Sequence, residues 1–499
     1  MANPLHDRLF APHADREAPF LHLADGAVLS HAAFGARAAG YAHALAAAGL
    51  EPGDRLAMQV AKSADALALV AGCIRAGVVV LPLNTGYTAG EVGYFLTDSG
   101  ARMLVCDSAA AGALDGLAPR LETLDADGTG SLPRRAAEQP DRFDAVPRQP
   151  GDLAALLYTS GTTGRSKGAM LSHRNLLSNA LTLAELWQFG ADDVLLHALP
   201  IFHTHGLFVA SFVTLAAGGA MIFLPKFDAD AVIARLPGAT AMMGVPTFYT
   251  RLLDDPRLTR ELVAHMRLFV SGSAPLLPET HRRFAERTGH AILERYGMTE
   301  TNMNASNPYS GERRPGTVGF PLPGVELRVA DPETGAERMQ GEVGQVEVRG
   351  PNVFRGYWQM PEKTAAEFQA DGFFQTGDLG RVDADGYLHI VGRMKDLVIS
   401  GGYNIYPVEI EQVLDAQPGV AESAVIGVPH PDFGESPVAL LVAEPGTAPD
   451  LDAVQAAVAG ALARFKHPRR LIVVDALLRN AMGKVQKAEL RARYRDLFA

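Results

Sequence analysis

The chain has 499 residues, of which 47% are hydrophobic and 20% are charged, as in ordinary soluble globular proteins. Its 45 lysines and arginines against 56 aspartates and glutamates give a net charge of −11, which excludes a broad basic surface for a nucleic-acid partner. With only Cys73 and Cys106 and an N-terminus that lacks the apolar run of a secretory signal, we expect no disulfide framework and a cytoplasmic location.

Short apolar runs alternate with helical stretches through most of the chain. RLAMQV (55–60), a helix near 62–76 and GVVVLPL (77–83) predict one strand-helix-strand unit, and later runs such as LAALLYT and RLFVSG continue the series. Nearly continuous apolar strands of this kind are covered on both faces. The pattern therefore predicts an α/β protein with mixed or parallel sheets.

A 19-residue stretch without charge, GLFVASFVTLAAGGAMIFL (206–224), is long enough to cross a membrane. Gly218 and Gly219 divide it into a helix-sized piece and the short run AMIFL, which Pro225 ends. We therefore interpret it as a buried helix and strand, and we expect no membrane partner.

The pattern changes near residue 315. Short runs broken by Gly and Pro, such as PGTVGFPLPGVELRV, predict a small β subdomain, and the residues after Lys395 predict a compact α+β unit. We predict a hinge at GRMKD (392–396), and hence a large N-terminal domain over 1–393 and a small, mobile C-terminal domain over 394–499.

One stretch is distinctive in composition: residues 157–173 read LYTSGTTGRSKGAMLSH. A Thr/Ser/Gly loop after an apolar strand offers backbone N–H groups and hydroxyls to phosphate oxygens, with Lys167 as a mobile cation. It differs from the usual phosphate loop because two residues, Arg165 and Ser166, separate Gly164 from the lysine. Taken alone, the stretch fits a plain turn as well as a phosphate site.

Two later motifs contain acidic residues, the first directly after a predicted strand and the second in a turn flanked by glycines. In ERYGMTET (294–301), Glu300 is suited to coordinate Mg²⁺ beside a triphosphate, and Tyr296 to stack on a base. In FFQTGDLG (373–380), Asp378 is suited to accept both hydroxyls of a ribose.

Two motifs near the end of the chain add cations. GRMKD contributes Arg393, and RNAMGKVQK (479–487) places Lys484 after a glycine in an exposed loop. Each motif alone fits a capped turn or a solvated side chain, but their occurrence in this order favours nucleotide chemistry.

As a set, these stretches resemble the adenylate-forming superfamily of acyl-CoA synthetases, luciferases and peptide-synthetase adenylation domains. YTSGTTGRSKGAMLSH, YGMTE, TGDLG, GRMKDLVISGGYNIYPVEIE and NAMGKVQK match its signatures, and the resemblance covers essentially the whole chain. It implies a two-step ligation. A carboxylate first attacks the α-phosphate of Mg·ATP to give an acyl-adenylate and diphosphate, and the thiol of coenzyme A then displaces AMP.

The resemblance also implies roles for individual residues. Lys484 is expected to bridge the carboxylate and the α-phosphate, and Glu300 and His205 complete the expected catalytic set. Thr159 and Glu300 are expected to hold magnesium. The expected ATP-binding residues are Thr159, Ser160, Gly161, Thr162, Thr163, Gly164, Lys167, Ser273, Ala274, Pro275, Glu294, Arg295, Tyr296, Gly297, Thr299, Asp378, Arg393 and Lys484.

In the superfamily, the small domain rotates about a hinge between the two steps, and this hinge corresponds here to Lys395. The rotation presents a second face, which contains Ser400, Gly401, Gly402 and Tyr403. Its glycines are expected to let a pantetheine chain pass close to the backbone.

The expected acyl pocket is polar, unlike a fatty-acid tunnel. If Arg251 and Arg295 both lie there, they suit a substrate with a second carboxylate. The alternatives are a surface pair of Arg251 with Asp255 and an internal ion pair of Arg295. ALPIFHTHGLFVA, RLFVSGSAPL and ERYGMTETNMN resemble the malonate-CoA ligase branch of the superfamily. That likeness implies malonate, or methylmalonate, as the acid, with the expected substrate residues Thr204, His205, Arg251, Ser273, Arg295 and Met303.

Three alternatives remain open on the sequence. An aryl- or short-chain acyl-CoA ligase has the same fold but gains nothing from a second carboxylate. An adenylation enzyme that loads a carrier protein is expected to have an aspartate near MMGVPTFY, and none occurs there. A regulator that binds nucleotide without catalysis does not need all of Lys167, Glu300 and Lys484. We expect small-molecule substrates and a monomer or small homo-oligomer.

Overall fold

The computed structural model describes residues 2–159, 166–401, 403–480 and 483–499. A π-helical segment, His205–Ser211, precedes the eighth α-helix. The α-helices are α1 (Pro4–Leu9), α2 (His31–Ala47), α3 (Ala64–Ala76), α4 (Ala89–Ser99), α5 (Ala111–Leu114), α6 (Ser131–Ala137), α7 (His173–Leu186), α8 (Phe212–Ala217), α9 (Ala229–Arg235), α10 (Pro246–Leu253), α11 (Arg260–Val263), α12 (Pro278–Thr288), α13 (Pro361–Glu367), α14 (Pro407–Asp415), α15 (Leu451–Ala461) and α16 (Lys487–Arg493).

The strands form four sheets. In chain order they are β1 (Pro19–Leu23), β2 (Val28–Ser30), β3 (Arg55–Gln59), β4 (Val79–Pro82), β5 (Met103–Cys106), β6 (Leu121–Thr123), β7 (Leu153–Thr159), β8 (Lys167–Ser172), β9 (Val194–His197), β10 (Ala220–Phe223), β11 (Ala241–Gly244), β12 (Leu268–Ser271), β13 (Leu293–Met298), β14 (Asn302–Ser306), β15 (Phe320–Pro321), β16 (Glu326–Ala330), β17 (Gly344–Arg349), β18 (Phe374–Val382), β19 (Leu388–Arg393), β20 (Val398–Ser400), β21 (Tyr403–Ile405), β22 (Val420–His430), β23 (Gly434–Ala443) and β24 (Arg470–Val474).

Two large mixed sheets make up most of the molecule. One has the strand order β15-β14-β13-β12-β11-β9-β10-β1-β2, and the other has the order β6-β5-β3-β4-β7-β8. Strands β9 to β13 pair in parallel, and so do β3, β4, β5, β6 and β7, whereas antiparallel strands lie at the edges. This architecture confirms the predicted mixed α/β fold.

The parallel strands are apolar along their length because both sheet faces are covered. Leu56 and Met58 of β3 belong to a core shared with helices α2, α3, α7 and α8, whereas Ala57, which points the other way, belongs to a second core. In the other large sheet, Leu195 joins the shared core and Leu196 joins a third. Side chains that alternate between two buried faces account for the lack of polar alternation in the sequence.

The uncharged stretch 206–224 is a helical segment followed by a strand, as predicted. His205–Ser211 and α8 pack in the shared core, Gly218 ends the helix with φ +70°, and β10 pairs with β9 and β1. In the described part of the chain, none of the helices has the length and apolar character needed to cross a bilayer.

The last third of the chain forms two smaller sheets. Strands β16-β17-β18-β19 make an antiparallel sheet that ends at Arg393. The next strand, β20, begins at Val398 in a different sheet, ordered β21-β20-β23-β22 with β24 beside β23. Helices α14 and α15 cover one face of that sheet, and α16 packs on the other. The small C-terminal unit is therefore α+β, as predicted.

Helices α2 and α3 cross closely at a glycine. A Cβ atom added to Gly72 lies 2.8 Å from Tyr41 Cβ and 3.0 Å from the Ala38 carbonyl oxygen, both on α2. Nothing lies within 4 Å of a Cβ added to Gly35, which is also on α2. The absence of a side chain at Gly72 therefore sets the distance between the two helices.

We predict that Gly72→Ala lowers the free energy of unfolding by about 1–3 kcal/mol, because the buried helices have to separate. The matched variant Gly35→Ala should change it by less than about 1 kcal/mol. Equilibrium unfolding in urea measures both, with fluorescence of Trp187 and Trp358 as the signal. Equal effects of the two substitutions contradict the close-crossing interpretation.

Candidate active site

Polar loops follow four neighbouring parallel strands of the nine-stranded sheet. Strands β9, β11, β12 and β13 are adjacent, so their carboxyl ends meet at one edge. The residues after these ends include Thr204, His205, Ser273 and Glu300. Ligands of open α/β sheets bind in this position.

Glu300 lies at the centre of a buried polar group. Its Oε1 accepts hydrogen bonds from Thr159 Oγ1 at 3.4 Å and from Tyr357 Oη at 3.1 Å. Burial raises the pKa of this carboxyl. Thr159 ends β7, so the contact joins the two large sheets and brings together the two residues predicted to hold a metal.

Lys167 was predicted to be a mobile cation, and in the structure it is buried with a counter-ion. Its Nζ lies 3.2 Å from Glu367 Oε1 and 4.3 Å from the centre of the Tyr357 ring. Tyr357 Oη lies 2.6 Å from Glu367 Oε2 and 3.1 Å from Glu300 Oε1, so its single hydroxyl proton is donated to one of these two carboxylates at a time. The predicted phosphate-binding residues Ser160, Gly161, Thr162, Thr163 and Gly164 lie outside the described residues.

The predicted ribose site joins two sheets. Asp378 on β18 lies opposite Arg393 on β19, whose Nε is 3.1 Å from Asp378 Oδ1. Tyr296 on β13 donates from Oη to Asp378 Oδ2 at 2.7 Å. The nearby Asp378 raises the pKa of Arg393. The carboxylate is thus fixed in orientation from both sides.

The other residues of ERYGMTET have different surroundings. Glu294 points away from the strand end, where Oε1 lies 3.2 Å from His281 Nδ1 and accepts the backbone N–H of Gly316. Gly297 lies at a bulge where an added Cβ atom comes within 1.8 Å of the Asn302 carbonyl oxygen, so no side chain fits. Thr299 is half-buried in the turn after β13.

Arg295 is a buried cation without a carboxylate partner in the described part of the chain. The side chain is on the opposite strand face from Glu294, and only 4% of the residue is exposed. Among the described residues, its Nε and Nη2 find no hydrogen-bond acceptor, and no acidic group forms an ion pair with it. Burial lowers the pKa of the guanidinium, although an arginine remains charged at neutral pH. The sequence left open an internal ion pair of Arg295 as the alternative to substrate binding. The described part of the chain contains no such pair.

His205 and Ser273 lie together beside the arginine. His205 Nδ1 is 3.1 Å from Ser273 Oγ, and its Nε2 has no partner among the residues that the structure describes. Burial and the nearby Arg295 lower the pKa of His205 well below its usual value, so the ring is neutral. Ser273 has φ +72°, an uncommon conformation for a residue with a side chain. Ala274 is half-buried, and Pro275 is exposed.

Two further predicted substrate residues lie at the same strand edge. Thr204 Oγ1 donates to Asn302 Oδ1 at 2.5 Å, and the buried Met303 follows Asn302 on β14. Arg251 is exposed on α10 and is not part of the buried group around Arg295. None of the ion pairs among the described residues joins Arg251 to Asp255, which instead pairs with Arg257.

Lys484 reaches the site from the C-terminal unit. It follows a tight turn in which the Gly483 N–H donates to the Asn480 carbonyl, and a Cβ atom added to Gly483 lies 3.6 Å from Thr247 Oγ1 on α10. Burial, reinforced by Arg393, lowers the pKa of Lys484 to about 8. The turn that carries this lysine therefore touches the large N-terminal unit.

The residues of the predicted second face lie elsewhere. Lys395 is exposed in the 3₁₀ turn Met394–Asp396, and Ser400 is buried at the end of β20. Gly401 has φ +57°, and Tyr403 is 57% exposed. Gly402 lies outside the described residues.

Sequence reasoning missed three residues that hold the predicted ones. Tyr357 contacts both Glu300 and Lys167, and Glu367 forms an ion pair with Lys167. Asn302 accepts a hydrogen bond from Thr204. Lys167 and Glu367 are 200 positions apart, and no local pattern links them. Asn302 could have been predicted from the sequence, because it lies between Glu300 and Met303, which were both predicted site residues.

Similarity to known proteins covers the whole chain. A crystal structure of ATP-bound MatB from Rhodopseudomonas palustris is 57% identical, with complete coverage of both chains and a TM-score of 0.98. The apo structure of the same protein gives a TM-score of 0.87. The arrangement seen here is therefore nearer to the ATP-bound form.

Two curated relatives carry names of CoA-ligating enzymes. A malonate-CoA ligase of Arabidopsis thaliana is 36% identical over 88% of this chain and 78% of its own length. A feruloyl-CoA synthase of Amycolatopsis is 37% identical over 94% of both. The family model for AMP-binding enzymes matches residues 9–358, and the model for their C-terminal domain matches residues 409–484. The chain belongs to the AMP-binding enzyme family.

Proposed function

We propose that the protein is a malonate-CoA ligase, which converts ATP, malonate and coenzyme A to malonyl-CoA, AMP and diphosphate through malonyl-adenylate. The observation that carries the proposal is the buried guanidinium of Arg295, which has no carboxylate partner among the described residues and lies at the same sheet edge as Ser273 and Glu300. The names of the Arabidopsis relative and of related mitochondrial enzymes support the same acid.

The first step forms a bond between a malonate carboxylate oxygen and the α-phosphorus, and breaks the bond from that phosphorus to the diphosphate oxygen. An oxide is too poor a leaving group to depart from a free carboxylate, whereas AMP can leave from the adenylate. Lys484 is placed to neutralise charge that develops between the two anions. Asp378 accepts the ribose hydroxyls, and Tyr296 and Arg393 keep its carboxylate in place.

Magnesium fits the residues predicted for it. Glu300 supplies a carboxylate and Thr159 a hydroxyl, both oxygen ligands of the type that Mg²⁺ prefers, and they are in contact. Bound there, the ion would neutralise phosphate oxygens. Burial raises the pKa of Glu300, because it disfavours the charged carboxylate. A cation bound beside the carboxylate would reduce this free-energy cost.

A second carboxylate accounts for Arg295. At about 4 Å and an effective dielectric near 20, it would attract the guanidinium by roughly 4 kcal/mol before desolvation. A monocarboxylate leaves the buried cation uncompensated, which is costly. We propose that Met303 and Thr204 limit the space beside carbon 2 of malonate. They would thereby determine whether the 2-methyl group of methylmalonate fits.

The second step requires a different arrangement. The CoA sulfur attacks the acyl carbon, and AMP leaves with the electrons of the acyl–phosphate bond. Because Lys484 occupies the site in the present arrangement, we propose that the C-terminal unit rotates about Lys395 and brings Ser400, Gly401 and Tyr403 to the site. The better superposition on an ATP-bound structure supports the first-step assignment of this arrangement.

A second candidate is an aryl-CoA ligase of the same fold. The feruloyl-CoA synthase relative is as similar as the malonate-CoA ligase, so identity alone does not separate the two acids. The charge of the pocket favours malonate.

The cytoplasmic location is a further proposal, consistent with two buried, unbridged cysteines.

We predict that malonate supports ATP–diphosphate exchange with a kcat/KM at least about 100-fold above that of propionate or ferulate, because only malonate compensates the buried cation. Thioester formation with free CoA is then followed by mass spectrometry. Efficient exchange with ferulate and none with malonate contradicts the proposed substrate.

We predict that Arg295→Met lowers kcat/KM for malonate by about 100-fold and that for propionate by less than about 3-fold. The matched control is Arg283→Met, which alters an exposed arginine of α12. Arg251→Met in the same assay tests whether the exposed Arg251 acts as a second cation. Equal losses for the two acids in Arg295→Met contradict the role of Arg295.

We predict that kcat/KM of the exchange reaction falls as the pH rises through about 8, because Lys484 in the free enzyme loses its proton there. The lowered pKa means that the ammonium is intact below this pH and neutral above it. In Lys484→Arg the remaining activity should lack this decline, since arginine stays protonated. A flat wild-type profile between roughly pH 7 and pH 9.5 contradicts the assignment.

A further inference from the structure

Gly272 lies directly against the guanidinium of Arg295. A Cβ atom added to Gly272 falls 2.4 Å from Arg295 Cζ and 2.6 Å from both Nε and Nη1. Ordinary contact begins at 3.4 Å. A side chain at position 272 and the present position of Arg295 therefore exclude each other.

The sheet register explains this contact. Strands β12 and β13 pair in parallel, with Val270 opposite Leu293 and Ser271 opposite Glu294. The next pair in this register is Gly272 and Arg295. Neighbouring residues on adjacent strands project from the same face, so the long arginine side chain folds over a position that has none.

The backbone does not require glycine at position 272. Its φ lies outside the left-handed range, and its N–H donates to the Gly244 carbonyl oxygen at 3.3 Å. Alanine can adopt this conformation and keep this bond. What a side chain disturbs here is the arginine, and not the local fold.

Arg295 has few polar contacts that fix its position. Within the described ranges, Nε and Nη2 lack hydrogen-bond acceptors and no carboxylate forms an ion pair with the side chain. Because the residue is 4% exposed, a displaced guanidinium has to move through packed protein. The open space above Gly272 is thus a main determinant of where the positive charge lies.

We propose that Gly272 is a specificity-determining position, which acts through Arg295 and never touches the reacting atoms. Its missing side chain places the guanidinium where its unpaired nitrogens meet the second carboxylate of a short dianionic acid. This inference rests on the proposed function. A methyl group at position 272 forces a shift of about 1 Å, and a misplacement of that size in a preorganised site costs about 100-fold in rate.

The test compares wild type, Gly272→Ala and the matched control Gly35→Ala, which adds a methyl group where nothing lies within 4 Å. In ATP–diphosphate exchange, Gly272→Ala should lower kcat/KM for malonate by about 10- to 100-fold and that for propionate by less than about 3-fold. KM for ATP should not change. Gly35→Ala should leave the ratio of the two acids unchanged.

A double-mutant cycle separates action through Arg295 from general damage. If Gly272 acts through the arginine, adding Gly272→Ala to Arg295→Met causes no further loss of malonate activity. Gly272→Ala should also lower the melting temperature less in the Arg295→Met background than in wild type, because methionine lacks Cζ and Nη1, two of the three atoms that the added Cβ meets. This measurement applies even if the single variant folds poorly.

The outcomes are distinct. Unchanged acid selectivity in folded Gly272→Ala, additive losses in the cycle, or an equal fall in melting temperature from Gly272→Ala in the wild-type and Arg295→Met backgrounds overturns the role of Gly272. A wild-type enzyme without preference for malonate over propionate instead overturns the proposed substrate.

Discussion

Buried positive charge at the edge of the nine-stranded sheet is the constraint on which the site depends. Burial lowers the pKa of both Arg295 and Lys484. Lys484 has Asp378 and Glu300 nearby, whereas Arg295 has no carboxylate partner among the described residues. A fold that served only its own stability would pair or expose such groups. Under the proposed function, the negative charge that these cations would meet is that of the nucleotide and the acid.

The sheets bring these charges together from distant parts of the chain. Adjacent parallel strands end at one edge and place Gly272 and Arg295 side by side. Contacts from Thr159 to Glu300 and from Tyr296 to Asp378 then join this edge to the six-stranded and four-stranded sheets. Lys484 comes from the C-terminal unit. One of the two buried cations is therefore carried by a separate unit of the structure.

The sequence was sufficient for the fold class and for most residues that gather at the site. Apolar strands covered on both faces leave a clear pattern, and polar groups at strand ends point to the shared edge. Alternation along β13 alone would have separated Glu294, which faces His281, from Arg295, which faces the crevice. The position of Arg251 depends on how α10 is turned, and the partnership of Lys167 with Glu367 depends on tertiary contact across 200 positions. Neither leaves a local signal.

The ion pair of Lys167 with Glu367 has a consequence for the reaction cycle. A lysine that already has a counter-ion binds phosphate less tightly than a free one, because the incoming oxygen has to compete with a carboxylate on the protein itself. The same carboxylate stays beside the lysine after an anion has left. Tyr357 contacts both Glu367 and Glu300, so a change of partner at Lys167 also affects the carboxylate that contacts Thr159. Under the proposed function, Glu367 would weaken the binding of phosphate by Lys167 and favour the release of diphosphate.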